Sequence, residues 1–210
     1  SSWTLTALPL FVWMGEILFR TKLSENLFKG LSPWMQKLPG GLIHVNIVGC
    51  ALFAAISGSS AATVATVGKM SIPELRKRKY PEKILLGSLA GSGTLGLLIP
   101  PSIILIIYGV AVQESIAKLF IAGIIPGIMI ALIFMTYVII WSLINKKIMP
   151  KILEEYSLIE KIKRSKQLLP IIILISAVIG SIYTGIATAT EAASLGVLGA
   201  LILSYFQKSL

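Results

Sequence analysis

Two short stretches of the chain carry the residue types best suited to hold a ligand inside an apolar protein. The first is Ser57-Gly58-Ser59-Ser60, set in the middle of a long uncharged run. Between Ala54 and Thr63 the only large side chain is Ile56. The second is GSGTLGLLIPPS, which holds Gly93, Thr94, Gly96, Ile99, Pro100, Pro101 and Ser102. A small-polar tetrapeptide at mid-run reads as two half-helices meeting at a tip, with one long glycine-kinked span as the alternative. In the second stretch, Pro100 turns Ile99 away from helix and Pro101 does the same to Pro100. Pro101 also removes a backbone donor. The helix is therefore expected to break over Gly93–Ser102 and restart near Ser102. Interrupted backbone is costly in hydrocarbon unless it lies in protein or lines a cavity. It also has a use, because freed carbonyls coordinate cations and half-helix N-termini face anions. Two such breaks meeting at the midplane describe a secondary-transporter site. For either break alone, close helix packing through Gly and Pro is the simpler reading.

The remaining polar residues offer less. His44 is the only histidine, and with Ser57 it raises the alternative of an intramembrane hydrolase. The two are 13 residues apart, GxSxG is absent and the chain contains no Asp, so a Ser-His-Asp triad is unavailable. There is no Walker motif and no GxGxxG before a strand, so nucleotide-driven transport is not encoded here. Glu191 follows Thr188 at capping-box spacing, which reads as a helix start, although intramembrane carboxylates are functional suspects. Glu16 and Arg20 have the spacing of an i,i+4 ion pair. Asn46 reads as a packing hydrogen bond, and the single cysteine, Cys50, as a small buried hydrophobe. A passive channel would want polar residues repeated along several spans, whereas here they concentrate at two breaks.

The chain has 210 residues, of which 55% are apolar and 13% charged. A soluble domain carries roughly a quarter charged residues. Mean hydropathy is +0.86. Uncharged runs cover 38–68, 84–113, 119–145, 167–190 and 192–207. About 20 apolar residues cross a bilayer, so the fold class is an all-α polytopic membrane protein. The net charge of +10 would point to nucleic acid in a soluble protein. Here the basic residues sit between apolar runs, and the positive-inside rule explains them without a nucleic-acid partner. If 41–68 re-enters the membrane, 18 of the 19 basic residues share one face, with Lys118 alone opposite. If 41–68 crosses, the split is 14 to 5, so re-entry from the cytoplasmic side is expected.

Residues 1–40 then form a span plus an amphipathic interfacial segment, with Leu23, Leu27, Phe28, Leu31 and Trp34 at helical spacing. The re-entrant hairpin 41–68 and the broken helix 84–109 form part of a transport unit. A span and cytoplasmic linker occupy 119–167, and 168–210 opens a second unit. The chain begins at Ser1 without Met and stops just after an apolar run, which reads as a piece of a longer protein.

FAAISGSSAATVATVGKMSIPELRKRKY and GSLAGSGTLGLLIPPSIILIIYG closely resemble the large membrane subunit of tripartite ATP-independent periplasmic (TRAP) transporters. PLFVWMGEILFRTKLSENLF, LPGGLIHVNIV and TGIATATEAASLGV resemble the same family, with Ala189 where proline is usual. The resemblance implies a bacterial or archaeal inner-membrane permease that imports organic acids such as C4-dicarboxylates or sialic acids. It implies inverted repeats, each with a hairpin and a broken helix, moving as an elevator. It implies sodium ions as coupling ions with no other cofactor, a periplasmic substrate-binding protein, and a small four-helix membrane subunit. On that reading Ser57, Ser59, Gly93, Thr94, Gly96 and Ile99 hold sodium. Ser57, Gly58, Ser59, Ser60, Pro100, Pro101 and Ser102 face the substrate. The second-repeat hairpin would lie beyond Leu210, leaving half a site here.

Overall fold

A computed structural model describes residues 4–21, 23–150 and 156–206. Lys22, Lys151 and Lys208, which belong to the tally of basic residues, lie outside the described residues. Ten α-helices follow in order: α1 (Ala7–Arg20), α2 (Leu23–Met35), α3 (Ile43–Ser57), α4 (Ser60–Lys77), α5 (Glu82–Gly93), α6 (Ile103–Val112), α7 (Ile116–Ile144), α8 (Leu158–Ser165), α9 (Leu169–Tyr183) and α10 (Ala189–Phe206). No strand occurs among the described residues. Among the described residues, three helical stretches are long and apolar enough to cross a membrane: Ile116–Ile144, Leu158–Tyr183 and Ala189–Phe206. Ile43–Ser57 and Ile103–Val112 are apolar but shorter. The protein is thus an all-helical, multi-pass membrane protein.

The run 41–68 folds as a hairpin. Gly58 ends α3 in the left-handed region, at φ +60 and ψ 4, which glycine adopts at no steric cost. Ser59 is extended and starts α4, its hydroxyl accepting the Ala62 N–H at 3.4 Å. The arms run antiparallel, since a Cβ on Gly49 would stand 3.6 Å from Val67 Cγ1, nine residues on either side of Gly58. At the open end, the Leu42 N–H donates to the Tyr80 hydroxyl at 3.0 Å. Burial pushes the Tyr80 hydroxyl above its ordinary pKa, so it stays protonated. The α4 arm runs nine residues past the end of the uncharged run, to Lys77. A bidentate pair between Arg76 and Glu82, at 2.6 and 3.2 Å, clamps its end to the start of α5. That carboxylate raises the Arg76 guanidinium above its usual pKa.

Around the hairpin, α5 packs on both arms, and Asn46 Nδ2 on α3 donates to the Leu85 carbonyl at 3.3 Å and the Ser88 hydroxyl at 3.0 Å. Asn46 therefore makes the packing bond its position indicates. A core of Phe11, Met14, Leu18, Phe53, Ile56, Val67 and Leu85 joins α1, α3, α4 and α5. In hydrocarbon such packing gains through close contact rather than escape from water. The outer surface is apolar, as along α7, where Ile121, Ile125, Ile128, Leu132 and Tyr137 are exposed. The amphipathic α2 differs from expectation in one respect. Its apolar residues Leu27, Phe28 and Leu31 are buried against protein, so only Trp34 of the apolar stripe described here is open to the surroundings.

The ends of the molecule separate by charge. Lys37 and Lys146 line one cavity with Tyr80, and Lys69, Arg78 and Arg164 line another. At the far end, the 113–117 connection and the 187–191 turn share a third cavity, beside Lys118. There Thr188 and Glu191 close a capping box, with the Thr188 N–H and hydroxyl both donating to Glu191 Oε2 at 2.8 Å. Glu16 pairs with Arg20 at 2.8 Å across one turn of α1.

Candidate functional site

The second interruption has the form its prolines dictate. After α5 ends at Gly93, a 3-10 turn runs over Thr94–Leu97, and 98–102 is irregular before α6 starts at Ile103. Pro100 and Pro101 are joined by a cis peptide bond. Ser102 is extended and fully buried. Its hydroxyl donates to the Leu97 carbonyl at 2.7 Å and accepts the Leu105 N–H at 3.4 Å, closing the break and capping the new helix.

The two interruptions touch. The Ile103 N–H donates to the Gly58 carbonyl at 3.3 Å. A side chain on Gly58 would collide with the Pro101 carbonyl oxygen. A Cβ on Gly96 would stand 2.9 Å from the Ser60 nitrogen and 3.0 Å from the Ser59 carbonyl carbon. One on Gly93 would run into Val64. Gly58 and Gly96 thus let the tip backbone lie directly on the break backbone, while Gly93 makes room for the Val64 side chain of α4.

Polar atoms in this contact divide into satisfied and spare. Ser57 is buried, with its hydroxyl 3.0 Å from Thr63 Oγ1 and 3.3 Å from the Ser59 carbonyl. Ser59 is the cap of α4. By contrast, the buried Ser60 hydroxyl has no hydrogen-bond partner among the described residues. The carbonyls of Ile99, Pro100 and Pro101 likewise accept no hydrogen bond there, and both prolines are buried. Thr94 stands apart, because its exposed hydroxyl donates to the Gly91 carbonyl at 2.7 Å. Spare, neutral oxygens at a junction of broken helices are chemically suited to a weakly held cation, and the N-terminus of α4 to an anion. None of these groups titrates near neutral pH.

Two contributors were not singled out from the sequence. Thr63 is fully buried and completes the Ser57 hydrogen bond; it lies four residues after Ser59, on the same helical face, which was the available signal. Gly15 lets α1 cross the tip, where a Cβ would stand 2.9 Å from Ser57 Cβ, and a contact 42 residues apart leaves no local signal. The hydrolase pairing is absent. His44 binds the Pro39 carbonyl at 2.8 Å at the start of α3, and Ser57 ends that helix, about 20 Å away at 1.5 Å per residue.

Interrupted helices meeting inside an apolar bundle are an arrangement suited to a membrane permease. The chain's similarity to known proteins makes that specific. The family model described as "Tripartite ATP-independent periplasmic transporter, DctM component" matches residues 1–210. The C4-dicarboxylate TRAP transporter large permease protein DctM of Pseudomonas aeruginosa is 35% identical over 97% of this chain and 47% of its own length. The sialic acid TRAP transporter large permease protein SiaM of Vibrio cholerae is 36% identical, over 96% of this chain and 47% of its own length. The ectoine TRAP transporter large permease protein TeaC of Halomonas elongata is also 36% identical, over 96% and 47%. The chain belongs to the DctM family of large TRAP permeases, which are transporters and not enzymes. It spans about half the length of these relatives.

Proposed function

We propose that this chain is part of the permease subunit of a sodium-coupled, binding-protein-dependent importer of organic acids, of the C4-dicarboxylate or sialic-acid kind. The observation that carries the proposal is the contact between the Gly58 tip and the Gly96–Ser102 break, with the Ser60 hydroxyl and the Pro101 carbonyl spare at it and the Ile99 and Pro100 carbonyls spare in the same break. Sodium sits among these oxygens together with Ser57, Ser59, Gly93, Thr94, Gly96 and Ile99. The α4 N-terminus at Ser57–Ser60 and the Pro100–Ser102 segment face the anionic group of the solute. No arginine lies in either stretch, so the chain has no bidentate clamp for a carboxylate there, and the ion's charge supplies the attraction.

The hairpin 41–68 re-enters from the cytoplasmic side of a bacterial or archaeal inner membrane. That orientation is supported by the basic residues at its open end and by the contact of Leu42 with Tyr80. The hairpin and broken helix move together as an elevator within an inverted-repeat protein whose second half supplies the rest of the site. The far end, with 113–117 and 187–191, receives the periplasmic binding protein. A small four-helix membrane subunit completes the complex.

The test is solute uptake into proteoliposomes by the full-length complex, with and without a sodium gradient and with and without the binding protein. Uptake that requires both supports the proposal. Uptake driven equally by potassium, or indifferent to the binding protein, contradicts it.

A further inference from the structure

At the basic end of the molecule, α2, α4 and α8 enclose a cavity of about 480 Å³. Its lining includes Lys29, Lys69, Arg78 and Arg164, against Glu25 and Glu74. The acids are already paired. Glu25 holds Lys29 at 3.5 Å and Glu74 holds Arg78 at 3.8 Å. Lys69 and Arg164 have no carboxylate partner among the described residues. Each lies instead over an aromatic ring, Lys69 Nζ at 5.0 Å from the Phe19 centroid and the Arg164 guanidinium at 4.3 Å from that of Tyr156. Ring contacts orient a cation while leaving its N–H donors available. Two oriented, unneutralised cations therefore face one polar cavity.

The helix beside this cavity has the character of a membrane-surface element. Ser157 and Glu160 close a capping box that starts α8. Its apolar residues Leu158, Ile159 and Ile162 are 70%, 79% and 58% exposed, Lys163 and Arg164 are exposed beside them, and Lys161 is buried. An exposed apolar face flanked by basic residues inserts at the headgroup level of a bilayer. Trp34 sits alongside, half open to the surroundings. Its indole N–H donates to the Ser165 hydroxyl at 2.7 Å and Lys161 Nζ lies 5.4 Å from its ring. An amphipathic ring at that depth marks the interface.

We propose that this cavity holds the phosphate headgroup of an anionic phospholipid from the cytoplasmic leaflet, bound by Lys69 and Arg164. A free phosphate has the same charge chemistry. The lipid is favoured because the α8 apolar face lies next to the cavity and gives acyl chains a surface to follow. The bound lipid ties the hairpin arm α4, through Lys69, to the surface helix α8, through Arg164. It acts as a strap between the hairpin and the membrane surface.

The experiment uses the full-length permease with its partner subunit. Native mass spectrometry reads retained phosphatidylglycerol, and thermal unfolding is followed in phosphatidylcholine vesicles with and without phosphatidylglycerol. A basic residue near an anionic surface is worth about fivefold in affinity. The double variant Lys69→Gln with Arg164→Gln is therefore expected to hold phosphatidylglycerol about 25-fold more weakly. It also loses the lipid-dependent stabilisation. A charge-matched control, Lys77→Gln with Lys147→Gln, removes two exposed basic residues that neither line the cavity nor lie on α8, and is expected to keep both. Equal loss in the control overturns the site in favour of general surface charge. Equal stabilisation by inorganic phosphate overturns the lipid as occupant. If the double variant fails to assemble, Arg164→Gln alone, at an exposed side chain, is expected to weaken retention about fivefold. Unchanged retention there overturns the proposal.

Discussion

Gly58→Ala puts the tip under two separable strains. An L-residue in the left-handed region costs about 1–2 kcal/mol. The added methyl also meets the Pro101 carbonyl oxygen, so the tip must shift away from the break. Gly96→Ala isolates the second strain. Its backbone is not left-handed, but its Cβ falls 2.9 Å from the Ser60 nitrogen and 3.1 Å from Ser60 Cα. Gly185→Ala isolates the first, because Gly185 has φ +71 and open space around it. A bound ion tolerates ligand displacements of only about 0.2 Å. Moving the tip off the break should therefore remove at least one oxygen from it. Loss of one polar contact is worth about 1–3 kcal/mol, or about 5- to 100-fold in affinity. The assay is uptake in proteoliposomes titrated with sodium, with thermal unfolding of each purified variant alongside. Gly58→Ala and Gly96→Ala should both raise the sodium midpoint within that range. Gly185→Ala should lose stability by about 1–2 kcal/mol with an unchanged sodium midpoint. If Gly96→Ala folds and keeps the wild-type sodium midpoint, the contact of tip and break has no part in ion binding.

Four further outcomes follow from the same fold. Ser60→Ala should weaken sodium dependence with little change in stability, since that hydroxyl has no partner among the described residues, whereas Ser57→Ala leaves buried Thr63 without its partner and should also destabilise by about 1–3 kcal/mol; sodium titration and melting of the two variants separate these effects. Thr94→Val tests the outlying hydroxyl, and a tenfold loss of sodium affinity would require Thr94 to leave Gly91 when the ion binds. Single cysteines at Lys37 and Lys77 in a Cys50→Ala background should react with an impermeant thiol reagent from the same side, and labelling from opposite sides would remove the re-entrant hairpin. Charge reversal at Glu114 or Lys118 should slow solute delivery modestly and in a salt-dependent way, because rim charges act chiefly on encounter rate; rates unaffected at every ionic strength would take this end out of the docking surface.

The breaks themselves are legible in the sequence because their causes are local. Gly58 followed by a capping Ser59 turns the chain, and Ile99-Pro100-Pro101-Ser102 keeps the helix from resuming until Ser102 caps a new one. The spare oxygens are not legible. Whether Ser60 or Thr94 keeps a free hydroxyl depends on which carbonyl lies within reach, and Thr94 finds one three residues back while Ser60 finds none. The length of α4 is hidden for a different reason. The uncharged run marks where apolar surroundings end, but a helix continues into charge wherever i,i+4 pairs such as Glu74–Arg78 and a bidentate pair such as Arg76–Glu82 support it. Likewise α2 announces its amphipathic pattern but not what covers it. The side chain of Leu168, against which Gly30 packs, lies far along the chain. Gly15 over Ser57 is the same kind of long-range fact.

The central claim is that the tip and the break together hold sodium, and the most direct measurement is ion-dependent stabilisation of the purified full-length permease. A ligand that binds only the folded state raises stability in proportion to the logarithm of its concentration over its dissociation constant. Sodium should raise the melting temperature of the wild type above that in potassium at equal ionic strength. Ser60→Ala and Gly96→Ala should show a smaller difference in melting temperature between the two salts than the wild type. Equal stabilisation of the wild type by both salts, or undiminished sodium stabilisation of both variants, would contradict the account.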